Sequence, residues 1–381
     1  MQDAVIVEAV RTPVGKKNGG LSQIHPVDLS AHVLNALVKR SGIDPAVVDD
    51  VIWGCVSQVG EQTGDIGRNA VLAAGWPLHV PGVSIDRQCG SSQQSVSFAA
   101  ASVVAGYYDI VVAGGVESMS MVPIGTSAQG KSTLGQGFRK HFGDVVPHQG
   151  DGAEMIATRW NLSRTELDQF SLGSHHKAAA AQDGGLFDDE IVPLTTPSGD
   201  TVDQDEGVRR GGTLESLAQL KPAFRPDGVI TAAGSSQISD GASAMLITST
   251  AKAIGLGLAP IARIHTAVVQ ADDPVIMLTG PIPATAKALQ RSGLSLADIG
   301  VFEVNEAFAS VALAWLQETG AAQELLNPNG GAIALGHPLG ASGTRIMTTM
   351  VHHMRRNSIR YGLQTMCEGG GQANATILEL L

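Results

Sequence analysis

Three cysteines are spread over 381 residues, Cys55, Cys89 and Cys367. Two of them stand where a thiol could do chemistry. Cys89 lies in "DRQCGSSQQS" (86–95), after a predicted strand, "GVSID", and before a stretch without a charge from Gly90 to Tyr108. Strand, cysteine, helix puts the thiol at a helix N-terminus, where unpaired N–H groups and the dipole stabilise an anion. Cysteines so placed have depressed pKa values and act as nucleophiles, although position alone leaves an inert buried thiol equally open. His337 stands among five glycines in "NPNGGAIALGHPLGASGTR" (327–345). Glycines let backbone approach a ligand closely. A histidine fixed among them can serve as a base or an oxyanion donor; a histidine of a structural turn is the alternative. Cys367, in "TMCEGGGQANATI" (365–377), closes a strand before three glycines whose N–H groups could form an oxyanion pocket. Cys55, in "VIWGCVSQ", reads as a buried strand thiol without a catalytic part.

The elements that must position these groups come twice. "ALVKRSGIDPAVVDDVIWG" (36–54) is echoed by "KALQRSGLSLADIGVFEVN" (287–305), each a helix with Gly42 or Gly293 placed for its C-cap, then a strand. "YDIVVAGGVES" (108–118) is echoed by "YGLQTMCEGGG" (361–371). Both echoes are offset by about 250 residues, which implies tandem halves of about 120 residues each with material inserted between them. The expected division is 1–118 for the first half, 119–239 for an inserted subdomain, 240–260 for a return to the first half and 261–381 for the second half. Within the insertion "NLSRTE" starts a helix, Ser163 as N-cap and Glu166 as its capping-box partner. "SSQQSVSFAAASVVAG" is uncharged on every face and so predicts a helix buried all round, between sheets of a layered α/β fold.

The five boxes, in this order, resemble those of the thiolase family over essentially the whole chain: the Cys89 segment, "TAAGSSQISDGASA" (231–244), "NEAFAS" (305–310), "GGAIALGHPLGASG" and "CEGGG". The resemblance implies a thiolase-like αβαβα fold of two duplicated halves with an inserted loop subdomain. It implies coenzyme A-dependent cleavage of a 3-ketoacyl-CoA, reversible to Claisen condensation. Cys89 would attack the ketone carbon and give its proton to His337. Cys367 would protonate the departing acetyl-CoA carbanion and then deprotonate the incoming coenzyme A thiol. Asn305, through a water, and His337 would form one oxyanion hole; the N–H groups of Cys89 and Gly369 would form the other. The same resemblance assigns Arg209 and Ser216 to the adenine nucleotide end of coenzyme A, Ser236 to its pantetheine, and Phe224, Phe308 and His148 to the substrate pocket. Coenzyme A enters as co-substrate, with no bound cofactor, and family precedent implies a homodimer or homotetramer and leaves open a partner in a β-oxidation complex.

Four departures stand out: Glu368 where the family box has a small apolar residue, Ala373 in place of a glycine, "CGSSQQ" after the nucleophile, and Gln149 after His148. The "CGSSQQ" form of the Cys89 box, together with "CEGGG", resembles degradative actinobacterial thiolases, some acting on steroid-derived acyl-CoAs. A biosynthetic acetoacetyl-CoA thiolase and a ketoacyl-ACP synthase-like condensing enzyme are the rival activities; Cys367 and "NEAFAS" favour the first reading over the last. "GTSAQGKS" (125–132) fits the P-loop spacing, but Pro123 precedes it and glycines follow it. No Cys–His spacing suggests a metal. A net charge of −11 argues against nucleic acid and anionic membranes. No apolar run is long enough for a span, and sparse cysteines fit a reducing compartment, so the cytoplasm is expected.

Overall fold

A computed structural model describes residues 2–381. The chain runs through β1 (Val5–Arg11), β2 (Gly15–Lys16), α1 (Pro26–Ser41), β3 (Asp50–Gly54), α2 (Ile66–Ala73), β4 (Val83–Ile85), α3 (Ser91–Ala105) and β5 (Ile110–Ser118). A long excursion follows, with α4 (Gln136–Phe142), α5 (Gln149–Arg159), α6 (Arg164–Asp183), a ribbon of β6 (Leu194–Thr195) and β7 (Thr201–Val202), and α7 (Leu214–Ala218). The chain returns through β8 (Ser239–Thr248), antiparallel to both β1 and β5, and α8 (Thr250–Gly255). It ends with β9 (Ala262–Ala271), α9 (Pro281–Ser292), β10 (Val301–Val304), α10 (Ala309–Thr319), α11 (Ala332–Leu335), α12 (Ser342–Asn357), β11 (Tyr361–Glu368) and β12 (Gln372–Leu380).

The local signals act as their chemistry dictates. α1 and α9 both start at a proline, which needs no N–H there, and end at Gly42 and Gly293 with φ of 75° and 74°. Ser163 and Glu166 close a reciprocal capping box on α6. Residues of β1 alternate: Val5 and Val7 pack with Leu29, Val33 and Leu37 of α1, whereas Ile6 and Ala9 pack with Val96, Ala99 and Val103 of α3.

α3 and α12 form the middle layer, meeting strands of both halves, including Met245 of β8, Val301 of β10 and Leu378 of β12. Outer helices α9 and α10 cover the second half through Ala284, Ala312 and Trp315. The strands of the two halves join edge to edge in the order β10-β11-β12-β9-β1-β8-β5-β3-β4, with β2 on β8. The halves meet at β1 and β9 through only two residue pairs, Val5↔Arg263 and Ile6↔Ala262. The expectation that α3 is buried all round needs correcting: Phe98 and Val104 are 45% and 37% exposed, because the packing on α3 is taken up by one face, that of Val96, Ala99, Ala100 and Val103. Absence of charge marks this face as apolar without showing what covers it.

Parallel pairing sets where chemistry can occur. β3 is parallel to β4 and β5, and β10 is parallel to β11, so within each half their C-terminal ends lie together. Such ends are where layered α/β folds bind ligands. Cys89 follows β4, Asn305 follows β10, and Cys367 is the penultimate residue of β11.

Candidate active site

The Cys89 loop is bent sharply. Gln88 takes φ of 50°, uncommon for a residue with a side chain. The bend is held by the Gln88 N–H donating to Asp86 Oδ1 at 2.6 Å and the Arg87 N–H donating to Ser91 Oγ at 2.9 Å. α3 begins two residues after Cys89, as the sequence predicted. The expected depression of the thiol is overturned: burial pushes Cys89 up to about 12, and the carboxyl groups of Glu368 and Glu117 act in the same direction. Only 5% of the residue is exposed, and this desolvation outweighs a helix N-terminus. At neutral pH the resting thiol keeps its proton, so attack requires a base in reach.

His337 is in the protonation state such a base needs. Burial, with the Arg345 charge, lowers the imidazole to about 3, so it is neutral and able to accept. Its tautomer follows from its neighbours. Ser342 Oγ donates to Pro338 O at 2.7 Å, which leaves it an acceptor toward His337 Nδ1 at 2.6 Å. The Nδ1–H is therefore used, and Nε2 carries the free lone pair. Asn305 Nδ2 stands 3.4 Å from that nitrogen. Cys367 is buried, and its thiol is pushed well up by burial, then by Cys89 and Glu368. The two sulfurs thus lie close enough to feel one another. Among the described residues no backbone carbonyl accepts from the N–H of Cys89 or of Gly369.

Two carboxylates that sequence reasoning passed over tie these loops down. Glu117 accepts from the N–H groups of Val56, Ser57 and Gly340 at 2.9–3.0 Å and from Gln62 Nε2 at 2.8 Å. Glu306 accepts from Ser174 Oγ at 2.6 Å, Asn327 Nδ2 at 2.8 Å and the Ile333 N–H at 3.2 Å. The visible signal was an acid at a buried strand end, "GGVES" and "VNEAF", but the partners are up to 223 residues away.

A cavity of about 860 Å³ opens above this centre, lined among others by His148, Phe224, Ser236, Phe308, His337 and Gly369. Phe224 stands edge-on to Phe308 at 5.7 Å and tilted to His148 at 5.8 Å. The Ser236 N–H donates to Ala307 O at 2.9 Å, joining the "SSQIS" stretch to the "NEAF" box. Cys89, Cys367 and Asn305 are buried and do not line the cavity; His337 and Gly369 are where it reaches them. Arg209 and Ser216 lie outside the lining. Arg209 is exposed and its backbone N–H donates to His175 Nδ1 at 3.1 Å, while Ser216 is spent on the capping box of α7. The P-loop-like segment has no strand directly before it and no α-helix until Gln136.

Known proteins give the same answer. The thiolase N-terminal domain matches residues 4–251 and the thiolase C-terminal domain residues 258–380. The steroid 3-ketoacyl-CoA thiolase FadA6 of Mycobacterium tuberculosis is 51% identical, covering 100% of this chain and 95% of its own length. The 3-ketoacyl-CoA thiolases of Pectobacterium carotovorum and Serratia proteamaculans are 44% and 45% identical, with 100% of both chains covered in each case. A duplicated fold whose strand ends bring a thiol, a neutral imidazole and a second thiol together therefore carries a family: the chain belongs to the thiolases.

Proposed function

We propose that this protein is a 3-ketoacyl-CoA thiolase that cleaves its substrate through an acyl thioester on Cys89. The observation that carries it is the convergence of a protonated buried thiol, a neutral imidazole and a second protonated thiol beneath one cavity. His337 Nε2 takes the Cys89 proton as sulfur bonds to the ketone carbon. The resulting alkoxide faces donors at His337 and Asn305. Its collapse breaks the carbon–carbon bond and expels the acetyl-CoA carbanion, which takes the proton of Cys367. Coenzyme A then gives its thiol proton to the Cys367 thiolate and attacks the acyl group. The departing Cys89 sulfur recovers its proton from His337. The Cys89 and Gly369 N–H groups stabilise the thioester oxygen through this second half. Each step has one donor and one acceptor of suitable type.

The acyl group we assign is bulky. The cavity is large, its lip carries Ile124, Leu134, Phe138 and Val146, and one relative is named for steroid substrates. Coenzyme A-dependent cleavage across a ladder of 3-ketoacyl-CoAs, straight-chain and ring-bearing, tests both parts. Cleavage of none would sink the reading; preference for short straight chains would sink the bulky acyl group alone. We also propose a homo-oligomer formed on the exposed apolar face of α3 and β4, Val83, Phe98 and Val104. A monomeric mass in sedimentation would refute it.

A further inference from the structure

Glu368 follows Cys367 and points to the opposite side of β11, against the loop that carries Cys89. It fills the space that Gly90 leaves, where a methyl group would overlap Glu368 Oε1. The residue is 1% exposed, yet neither carboxyl oxygen has a hydrogen-bond partner among the described residues. Beside it Asn374 commits Nδ2 to Gly90 O at 3.1 Å, and its Oδ1 is unpartnered too. Three buried acceptor atoms thus share one space without a donor. The charged groups facing it are Arg87 and Asp86 of the Cys89 loop, and the titratable thiols are Cys89 and Cys367. Arg87 gives Nη1 to Gln372 Oε1 at 2.7 Å instead. A carboxylate here would be an unpaired buried charge, whereas a carboxylic acid brings the missing donor.

We propose that Glu368 is a positioning residue of the thiolase reaction, an uncharged carboxylic acid that keeps a second negative charge away from the thiolates formed at Cys89 and Cys367. The proposal rests on the reaction assigned above. While the Cys367 thiolate waits for coenzyme A, a neutral neighbour does not oppose it, but an ionised one does. Burial holds the carboxyl up to about 8. Rising pH therefore ionises Glu368 before either thiol and makes both thiols harder to ionise.

Alkylation of Cys89 and Cys367 by iodoacetamide, followed by peptide mass from pH 7 to 9.5, tests this without substrate. Single-turnover acylation of Cys89 by a 3-ketoacyl-CoA is followed in parallel. In the native protein the alkylation rate of Cys367 should climb with pH and flatten above about 8. In Glu368→Gln, which keeps the shape and supplies an N–H donor, the flattening should vanish. The variant-to-native rate ratio should then grow about tenfold between pH 7 and 9, since a group with a pKa near 8 changes its protonated fraction by that much. Glu303, also held up to about 8 by burial, lies in β10, and Glu303→Gln should retain the break. An unbroken slope in the native protein, or a constant ratio, would overturn the proposal. Should Glu368→Gln fail to fold, the native slope alone decides. Loss of the thiolase reading would show instead as cleavage of no substrate, with the alkylation profile intact.

Discussion

The two halves place a helix-entry loop against the end of a strand in the same way, and they do it with opposite residues. In the first half β5 carries Gly114 and Gly115 within its C-terminal part, and the loop from α11 into α12 presses onto it. A Cβ on Gly115 would overlap Gly340 O. In the second half the matching positions of β11, by the Tyr108–Tyr361 register, are Cys367 and Glu368. There the loop gives way instead: Gly90 has no side chain and Glu368 fills the gap. The strand ends β3 and β10 differ likewise, Gly54 and Cys55 answering to Asn305 and Glu306. A duplicated scaffold thus supplies two equivalent seats, and glycine on one side frees the other to hold reactive groups. In the reaction proposed above, the first half contributes the nucleophile and the second the base and the proton carrier.

Changes at paired positions sharpen or break this division. Cys89→Ala should lower turnover by about 10⁴-fold or more, as loss of a nucleophile does, with no acyl adduct by mass spectrometry. Cys367→Ala should cost about 10³-fold in turnover while slow acylation of Cys89 persists; equal turnover would remove the proton carrier from the second half. Gly115→Ala should destabilise by about 2 kcal/mol, the usual cost of overpacking, measured by urea unfolding, and should lower kcat by displacing the His337 loop. Gly42→Ala and Gly293→Ala should each cost about 1 kcal/mol, the strain of a left-handed residue with a side chain; unequal costs would contradict the equivalence of the halves. Because His337 is protonated only as pH falls through about 3, kcat/KM should show no acid limb between pH 5 and 7. A limb near 6.5 would require an imidazole in water.

Much of this was legible in the chain. The repeated helix-to-strand segments, the Gly42 and Gly293 caps, the Ser163 capping box and the three reactive groups are local patterns, and local patterns survive without tertiary knowledge. The raised Cys89 thiol was not legible, because burial is decided by Met119, Leu339, Ile346 and Met366 arriving from elsewhere. Glu117 and Glu306 are ordinary acids until distant N–H groups close on them. The uncharged run of α3 predicted burial correctly for Ser91 to Val96 and failed for Phe98 and Val104, since hydropathy cannot tell a core from an uncovered face. The seam between β1 and β9 rests on two residue pairs and leaves no pattern of its own.

The contact between the two middle helices has one more consequence. Gly343 of α12 lies so near Gln93 of α3 that a Cβ there would overlap its backbone, and the Thr344 N–H donates to Ser92 Oγ at 3.0 Å. Helices locked at that separation cannot slide without breaking both contacts. The catalytic floor is accordingly a fixed part, while the cavity's lip is drawn from residues 124–150. Exchanging the lip between family members should therefore shift acyl-chain selectivity with little change to the floor beneath it.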